Sequence, residues 1–392
     1  MKLSVLFLIL RWLIAIALFF VAAVWLFLRT YPVFGGRPDA ESMARILASS
    51  HYQAGAFRNL EPTALSTRES TGPEGESLSM TKWLQSVLFP PEGKRPAEPL
   101  PNVPFDAKRA TTAAAQTITA TWFGHSSVMV TLGGQTLFFD PVFDRASPLP
   151  ITGAPFPLKF PIGVEDIPAV DAIVLSHDHY DHLSWKTIRA LESRVGHFFV
   201  PLGVAGHLQR WGVAKSRITE LDWGESVTWH GLTLTLETNR HFTGRTFSDG
   251  SQTLWGSWVV EGEGRKVFFS GDGGYGHHFA DIGKRHGPFD LAFIENGAYN
   301  RAWAQIHMTP EESVQAAIDL QARAVVPIHW AKFDLAFHLW KDPIERYSAR
   351  WQAISTQAGQ APFTLVTPRI GETWTLGADA PLPQTPWWKD AK

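Results

Sequence analysis

The chain has 392 residues, 45% of them apolar and 18% charged, with a formal net charge of -2. That length supports a full hydrophobic core in one large domain or two ordinary ones, and the near-neutral balance argues against a broad basic face for nucleic acid. With no cysteine, disulfides, thiolate metal ligands and cysteine nucleophiles are excluded, so any metal must be held by imidazole and carboxylate.

Between residues 3 and 28 the only non-apolar side chains are Ser4 and Arg11, and residues 12–28 form an unbroken apolar run of 17. A helix over 3–28 would be ~39 Å long, enough to cross a bilayer with some tilt. The run closes on Trp25-Leu26-Phe27-Leu28-Arg29 rather than on the small residues of a cleavage site. Residues 1–30 therefore read as a retained transmembrane anchor in preference to a signal peptide. Lys2 and Arg11 on one side nearly balance Arg29 and Arg37 on the other. With Lys2 held inside, the bulk of the chain would lie on the periplasmic side of a bacterial inner membrane.

Residues 31–105 read as a membrane-proximal region, with short amphipathic helices and loops over 39–65 and 79–88. A connector follows that carries Pro90, Pro91, Pro96, Pro99, Pro101 and Pro104. Proline at that density continues neither a helix nor a central strand, so the connector marks a boundary with the main domain over 106–375. Residues 376–392 are left as a C-terminal tail. In the main domain, strands are expected at 117–123, 127–132 and 135–139, with Gly133-Gly134 as a hairpin turn. Further strands are expected at 172–175, 197–200, 232–237, 254–260, 266–270, 291–294 and 324–328. Helices are expected at 184–193, 204–211, 309–321 and 342–356. The third has Thr309 as N-cap, Pro310 in its first turn and Glu312 three residues after the cap. Hairpins followed by alternating strands and helices favour two packed sheets covered by helices.

The stretch SHDHYDHL, residues 176–183, places three histidines and two aspartates in six consecutive residues behind the apolar run 172–175. Such groups at the end of a buried strand are costly unless something satisfies them, and a cation is the simplest candidate. In extended chain, side chains two apart point the same way, so His177 and His179 can share one ion. Asp181 and His182 follow a turn and can face a second. Imidazole and carboxylate suit zinc, and also manganese or iron. Downstream, His241, Asp272 and His329 each end an apolar run. Singly, each is equally an ordinary loop histidine or a helix-capping aspartate; their recurrence at three strand ends, where loops gather groups for chemistry, argues for partners to the cluster.

Several longer strings point further. They are Trp122-Phe123-Gly124-His125-Ser126-Ser127, Phe139-Asp140-Pro141-Val142, HDHYDHL and Leu254-Trp255-Gly256-Ser257-Trp258. FFSGDGGY over 268–275, IGKRHGPFDLA over 282–292, His307 and Ile328-His329-Trp330 complete the set. Through these, residues 117–334 resemble the metallo-β-lactamase fold superfamily, whose signature is H-x-H-x-D-H at a strand end. Within it they are most similar to N-acylphosphatidylethanolamine-hydrolysing phospholipase D and its bacterial relatives. The resemblance implies an α/β, four-layer αββα fold with two zinc ions. His177, His179 and His241 would hold the first, Asp181, His182 and His329 the second, with Asp272 bridging. A water shared by two dications loses a proton near neutral pH and becomes a nucleophile. The resemblance gives Asp181, Asp272 and His307 catalytic standing, His307 by giving a proton to the departing oxygen or polarising it. Asp140 and His125 would support the ligands from behind, Asp140 by fixing an imidazole tautomer. On their own, Asp140 reads equally as a turn residue before Pro141 and His307 as a loop histidine near a helix start.

The fold does not name the substrate. The anchor leans towards lipid. So does the 141–168 segment, whose Phe143, Leu149, Ile151, Phe156, Leu158, Phe160 and Ile162 would form either a lid or binding wall or a packed cover over a sheet. The leading expectation is a membrane-anchored phosphodiesterase acting on phospholipid at the bilayer and releasing phosphatidate. The alternatives are a lactonase or phosphodiesterase for a soluble small molecule, and a membrane-tethered metal-binding protein without turnover.

Overall fold

A computed structural model of the protein describes residues 2–66, 89–377 and 380–392; the helix expected within 79–88 lies outside them. The first element is α1 (Lys2–Thr30). None of its apolar stretch Val5–Thr30 is buried, and by length and composition it can cross a membrane. After a turn at Pro32–Phe34 comes α2 (Ala40–Ala48), capped by Asp39, whose Oδ1 accepts from the Ser42 N–H. A small hairpin pairs β1 (Tyr52–Gln53) with β2 (Ala56–Phe57), and the one-turn α3 (Ala107–Ala110) leads into the main body.

Two seven-stranded sheets follow. The first contains β3 (Ile118–Trp122), β4 (Val128–Leu132), β5 (Gln135–Phe139), β6 (Val170–Val174), β7 (Val195–Pro201) and β8 (Ile218–Leu221). The second contains β9 (Ser226–Trp229), β10 (Leu232–Glu237), β11 (Ser257–Gly262), β12 (Arg265–Phe269), β13 (Leu291–Glu295), β14 (Ala324–Ile328) and β15 (Thr364–Leu365). A last strand, β16 (Thr373–Leu376), returns to the first sheet beside β3. Each sheet starts with antiparallel meanders and switches to parallel pairing, at β5–β6 in one and β12–β13 in the other. In the first sheet two reversals return β3 to the direction of β5; in the second, two return β10 to the direction of β12. The carboxyl ends of β3, β5 and β6, and those of β10, β12, β13 and β14, therefore share an edge within their own sheets. Ligands bind at such edges in open α/β sheets.

Period-2 alternation sorts the apolar residues onto two faces. Leu137 and Phe139 point between the sheets with Leu234, Leu236, Trp258 and Phe269, and the rings of Phe139 and Phe269 stack at 4.8 Å. The next residues along face outward. Phe138 and Ile173 pack under α4 (Trp185–Leu191) and α5 (Ala205–Arg210). Phe268, Ala292 and Val325 pack under α6 (His278–His286), α7 (Pro310–Asp319) and α8 (Asp342–Ala358). The result is the four-layer αββα sandwich the sequence led us to expect. The capping box at Thr309 and Glu312 is present as read.

Differences lie at the margins. The expected strand at 254–260 begins only at Ser257, because residues 254–256 join the sheets instead: Leu254 N–H donates to Leu202 O and Gly256 N–H to Ser176 O. Helix α6 was hidden by Gly283, a poor helix former. A Cβ there would sit 2.1 Å from Asp319 O, so the glycine lets α6 lie against the end of α7. Near the C-terminus the chain returns to the body, with Trp387 and Trp388 buried against Trp330 at ring distances of 5.4 and 5.9 Å.

Candidate metal centre

The shared edges bring seven strand-end residues into two touching groups. In the first, His177 Nε2 lies 3.0 Å from His179 Nδ1, and His241 Nε2 lies 3.2 Å from that same nitrogen. The far side of each ring is already committed. His241 Nδ1 donates to Ile306 O at 2.9 Å, and His177 Nδ1 is 2.9 Å from Ser176 Oγ. Both Nε2 atoms are thus left as lone pairs aimed at one nitrogen, which can donate at most one proton. A cation satisfies all three. Burial above all, then neighbouring imidazoles, holds the His177 and His241 pKa values well below the ordinary range; burial also lowers that of His179. Neutral imidazoles are the form that ligates.

The second group is built on carboxylates. Asp181 Oδ2 lies 3.5 Å from the Nε2 of both His182 and His329. Asp272 Oδ2 lies 3.0 and 2.9 Å from the same two nitrogens and 4.0 Å from the Nε2 of both His177 and His241. One oxygen therefore faces both groups. His182 Nε2, both ring nitrogens of His329 and Asp272 Oδ1 are buried without a hydrogen-bond partner, although charges lie within contact distance. Donor atoms converging on a common point, rather than on each other, fit a metal ion. Despite burial, which lowers it, the His329 pKa is pushed up to about 10, chiefly by Asp272 and Asp181. That of His182 is likewise raised by Asp272 and Asp181 against the pull of burial.

Asp140, at the end of β5, is wholly buried. Its Oδ2 lies 2.7 Å from His182 Nδ1, and its Oδ1 accepts from the Ser176 N–H at 2.8 Å. It is also a turn residue, with φ at 39°. His125 Nε2 reaches Asp181 Oδ2 at 2.9 Å, a contact with a candidate ligand, and its ring lies 4.0 Å from that of His329. His307 is at the centre too, its ring 5.1 Å from His241 and 5.5 Å from His329.

Three residues were missed. Glu295, ending β13, is fully buried, shares a short hydrogen bond with His307 Nδ1 and accepts from the Gly273 N–H at 2.6 Å. Burial and then Asp272 raise its pKa well above the usual carboxylate range, while burial brings that of His307 down to about 4; the pair thus holds one proton between two neutral partners. The strand-end rule that found Asp272 and His329 would have found Glu295, since it follows Leu291-Ala292-Phe293-Ile294. Asn239 Nδ2 donates to Ser270 O and Asp272 O, and Gly273 is required because a Cβ there would sit 2.0 Å from Asn239 Oδ1. Asp178, inside the motif, turns away from the centre. It accepts from Gly244 N–H at 2.9 Å and Thr253 Oγ1 at 2.7 Å, with His207 Nε2 at 3.2 Å.

Beside the second group opens a recess lined by His125, Phe156, His329, Phe333 and Trp340. The 141–168 segment serves two purposes. Phe143 and Phe156 pack on the body, whereas Leu149, Ile151 and Phe160 are exposed at 47%, 83% and 42%.

A family model described as a beta-lactamase superfamily domain matches residues 135–330. An uncharacterized protein of Mycobacterium tuberculosis is 38% identical over 357 residues, covering 90% of this chain and 91% of that one. The N-acyl-phosphatidylethanolamine-hydrolyzing phospholipase D 1 of Caenorhabditis elegans is 35% identical over 270 residues, covering 65% and 75%. Igni18, a metallo hydrolase from Ignicoccus hospitalis, shares the fold at a TM-score of 0.51 and 21% identity, covering 67% of this chain and all of that one. The chain belongs to the metallo-β-lactamase superfamily, and is a metallo-hydrolase within it.

Proposed function

We propose that the chain is a membrane-anchored dinuclear zinc hydrolase. Its activity would be that of a phospholipase D-type phosphodiesterase cleaving (N-acyl)phosphatidylethanolamine-like lipids, with α1 in a bacterial inner membrane and the catalytic domain on the periplasmic side. The observation that carries the dinuclear reading is the position of Asp272 Oδ2, facing both donor groups at 2.9–4.0 Å. His177, His179 and His241 would hold one ion and Asp181, His182 and His329 the other, with Asp272 shared. When bound, the pair supplies an acidified water and offsets charge on the phosphoryl oxygens.

The chain's own groups do the rest. Asp140, Ser176 and Ile306 O fix the ligand imidazoles from outside, holding each tautomer with its lone pair inward. His307, with Nδ1 committed to Glu295, keeps Nε2–H free to donate a hydrogen bond to the departing ethanolamine oxygen as the P–O bond breaks, and that oxygen takes its proton from water. Glu295 serves His307 as a hydrogen-bond partner, so Glu295→Gln, which keeps a hydrogen-bonding group there, should cost less than about tenfold in kcat, the worth of one altered hydrogen bond. A larger loss in steady-state assays would mean that the ionised carboxylate is required.

Lipid is favoured over a soluble substrate by position. Tyr31, the first residue beyond α1, lines one recess with Leu149 and Tyr180, so the exposed apolar loop lies beside the point where the anchor ends. The test is to supply zinc-loaded, full-length protein in micelles with a defined N-acylated phosphatidylethanolamine. Zinc-dependent release of phosphatidate is expected. Turnover of a soluble lactone or phosphodiester, with no phosphatidate, would overturn the lipid reading.

A further inference from the structure

The residues that follow α1 are tied to the motif 177–182 by two separate links. In the first, Arg245 is 3% exposed and its guanidinium donates Nε–H and Nη2–H to Val33 O at 3.1 and 2.7 Å. Its Nη1 donates to Asp178 O and Leu183 O, carbonyls that bracket His179, Asp181 and His182. The face of the guanidinium rests on Tyr180, 4.2 Å from the ring centre. In the second link, the Gly36 N–H donates to His207 Nδ1 at 3.0 Å, which commits the other nitrogen, Nε2, to the Asp178 carboxylate at 3.2 Å.

This contact depends on glycine. A Cβ on Gly36 would sit 2.1 Å from Gly206 O, and one on Gly206 would sit 2.4 Å from Arg37 O, so two stretches of main chain meet directly. Next to it, Arg210 donates to Arg29 O at 2.6 Å and Trp211 Nε1 to Pro32 O at 2.8 Å. The end of α1 is therefore seated on α5 by the same surface that steadies the motif. If the strap over 33–37 lifted, Arg245 would lose the two hydrogen bonds it gives to Val33 O while still buried, a costly state for a charge. Relief would come by moving the carbonyls on either side of the motif.

We propose that the strap over 33–37 is a positioning element of the metal centre, acting through Arg245 and through His207 and Asp178, so that the seating of the anchor's end sets how firmly metal is held. This rests on the metal reading above. Outer partners of metal ligands are worth roughly 10–100-fold in affinity, which sets the expected scale.

The test uses full-length protein in detergent with cobalt(II) alone as probe, following chelator competition and the visible spectrum of the bound ion. Gly36→Ala should weaken cobalt retention by roughly tenfold or more and alter the spectrum, a change in ligand geometry that simple loss of stability does not produce. Arg245→Gln should act in the same direction, and carries the test if Gly36→Ala fails to fold. Val325→Ala, in the outer core of the second sheet, provides a destabilised control expected to keep wild-type affinity. Equal affinity and an unchanged spectrum in Gly36→Ala and Arg245→Gln would overturn the inference alone. So would an equal loss in the control. A wild-type protein that takes up no cobalt would overturn the metal reading, and the inference with it.

Discussion

Asp272→Asn should lower the hydrolytic rate by more than about 100-fold, beyond the usual upper end for an outer partner of a metal ligand. The protein should still fold. The reason is the Oδ2 atom, which lies within 3.0 Å of His182 and His329 and 4.0 Å from His177 and His241. No other carboxylate oxygen among the described residues faces both groups at such distances. The amide would place either a weaker, uncharged oxygen or an N–H₂ donor there. The donor orientation is repelled by a cation but welcomed by imidazole lone pairs, so the variant can be stable without metal. Its backbone is held independently, through Asn239 and the Asp272 carbonyl. Elemental analysis should find reduced metal beside the lost rate, with a denaturation midpoint close to that of metal-free wild type. Full metal content and full rate would remove Asp272 from the role of a shared ligand.

The centre was legible for a simple reason. A buried strand is an apolar run, and the residue that ends it is visible as a break; His177, His241, Asp272 and His329 all stand at such breaks. The same logic, applied evenly, would have reached Glu295, whereas Asp140 came only from the resemblance. What lay hidden depends on contacts between distant segments. Strand β9 alternates between exposed and half-buried residues and holds its place by pairing with β10, which no local period reveals. Asp178 looks like part of the cluster by spacing, yet its carboxylate is directed by Gly244, Thr253 and His207 to the opposite side. Gly35-Gly36 before Arg37-Pro38 carries no local signal, and only the closeness of Gly206 shows why a side chain is absent at Gly36. Asn59 likewise bonds both the N–H and the carbonyl of His241, across a separation that composition shifts and prolines made look like a boundary.

Metal uptake should divide into two steps with different pH dependence. Without a cation, the buried carboxylates of Asp181 and Asp272 are balanced by protons: both stay ionised, their pKa values lowered by His182 and other imidazoles against the upward push of burial. His182 and His329 carry the protons, the latter with a pKa raised to about 10. A dication bound there must displace both. Each proton released makes apparent affinity rise about tenfold per pH unit below the relevant pKa, so this step should strengthen by about 100-fold per unit between roughly pH 6 and 8. His177, His179 and His241 are already neutral in that range and release none, so their step should be nearly flat. Calorimetry in buffers of differing ionisation enthalpy should count about two protons for one step and none for the other. The sign for stability follows from the raised His329 value. Its contribution to the metal-free fold is complete below the unfolded pKa of about 6.5 and is lost as pH rises through about 10, whereas a bound cation supplies that charge at any pH. Metal-free protein should therefore lose stability on the alkaline side while the loaded protein does not. Two steps with the same pH slope would show that the two groups do not differ in protonation as their carboxylates require.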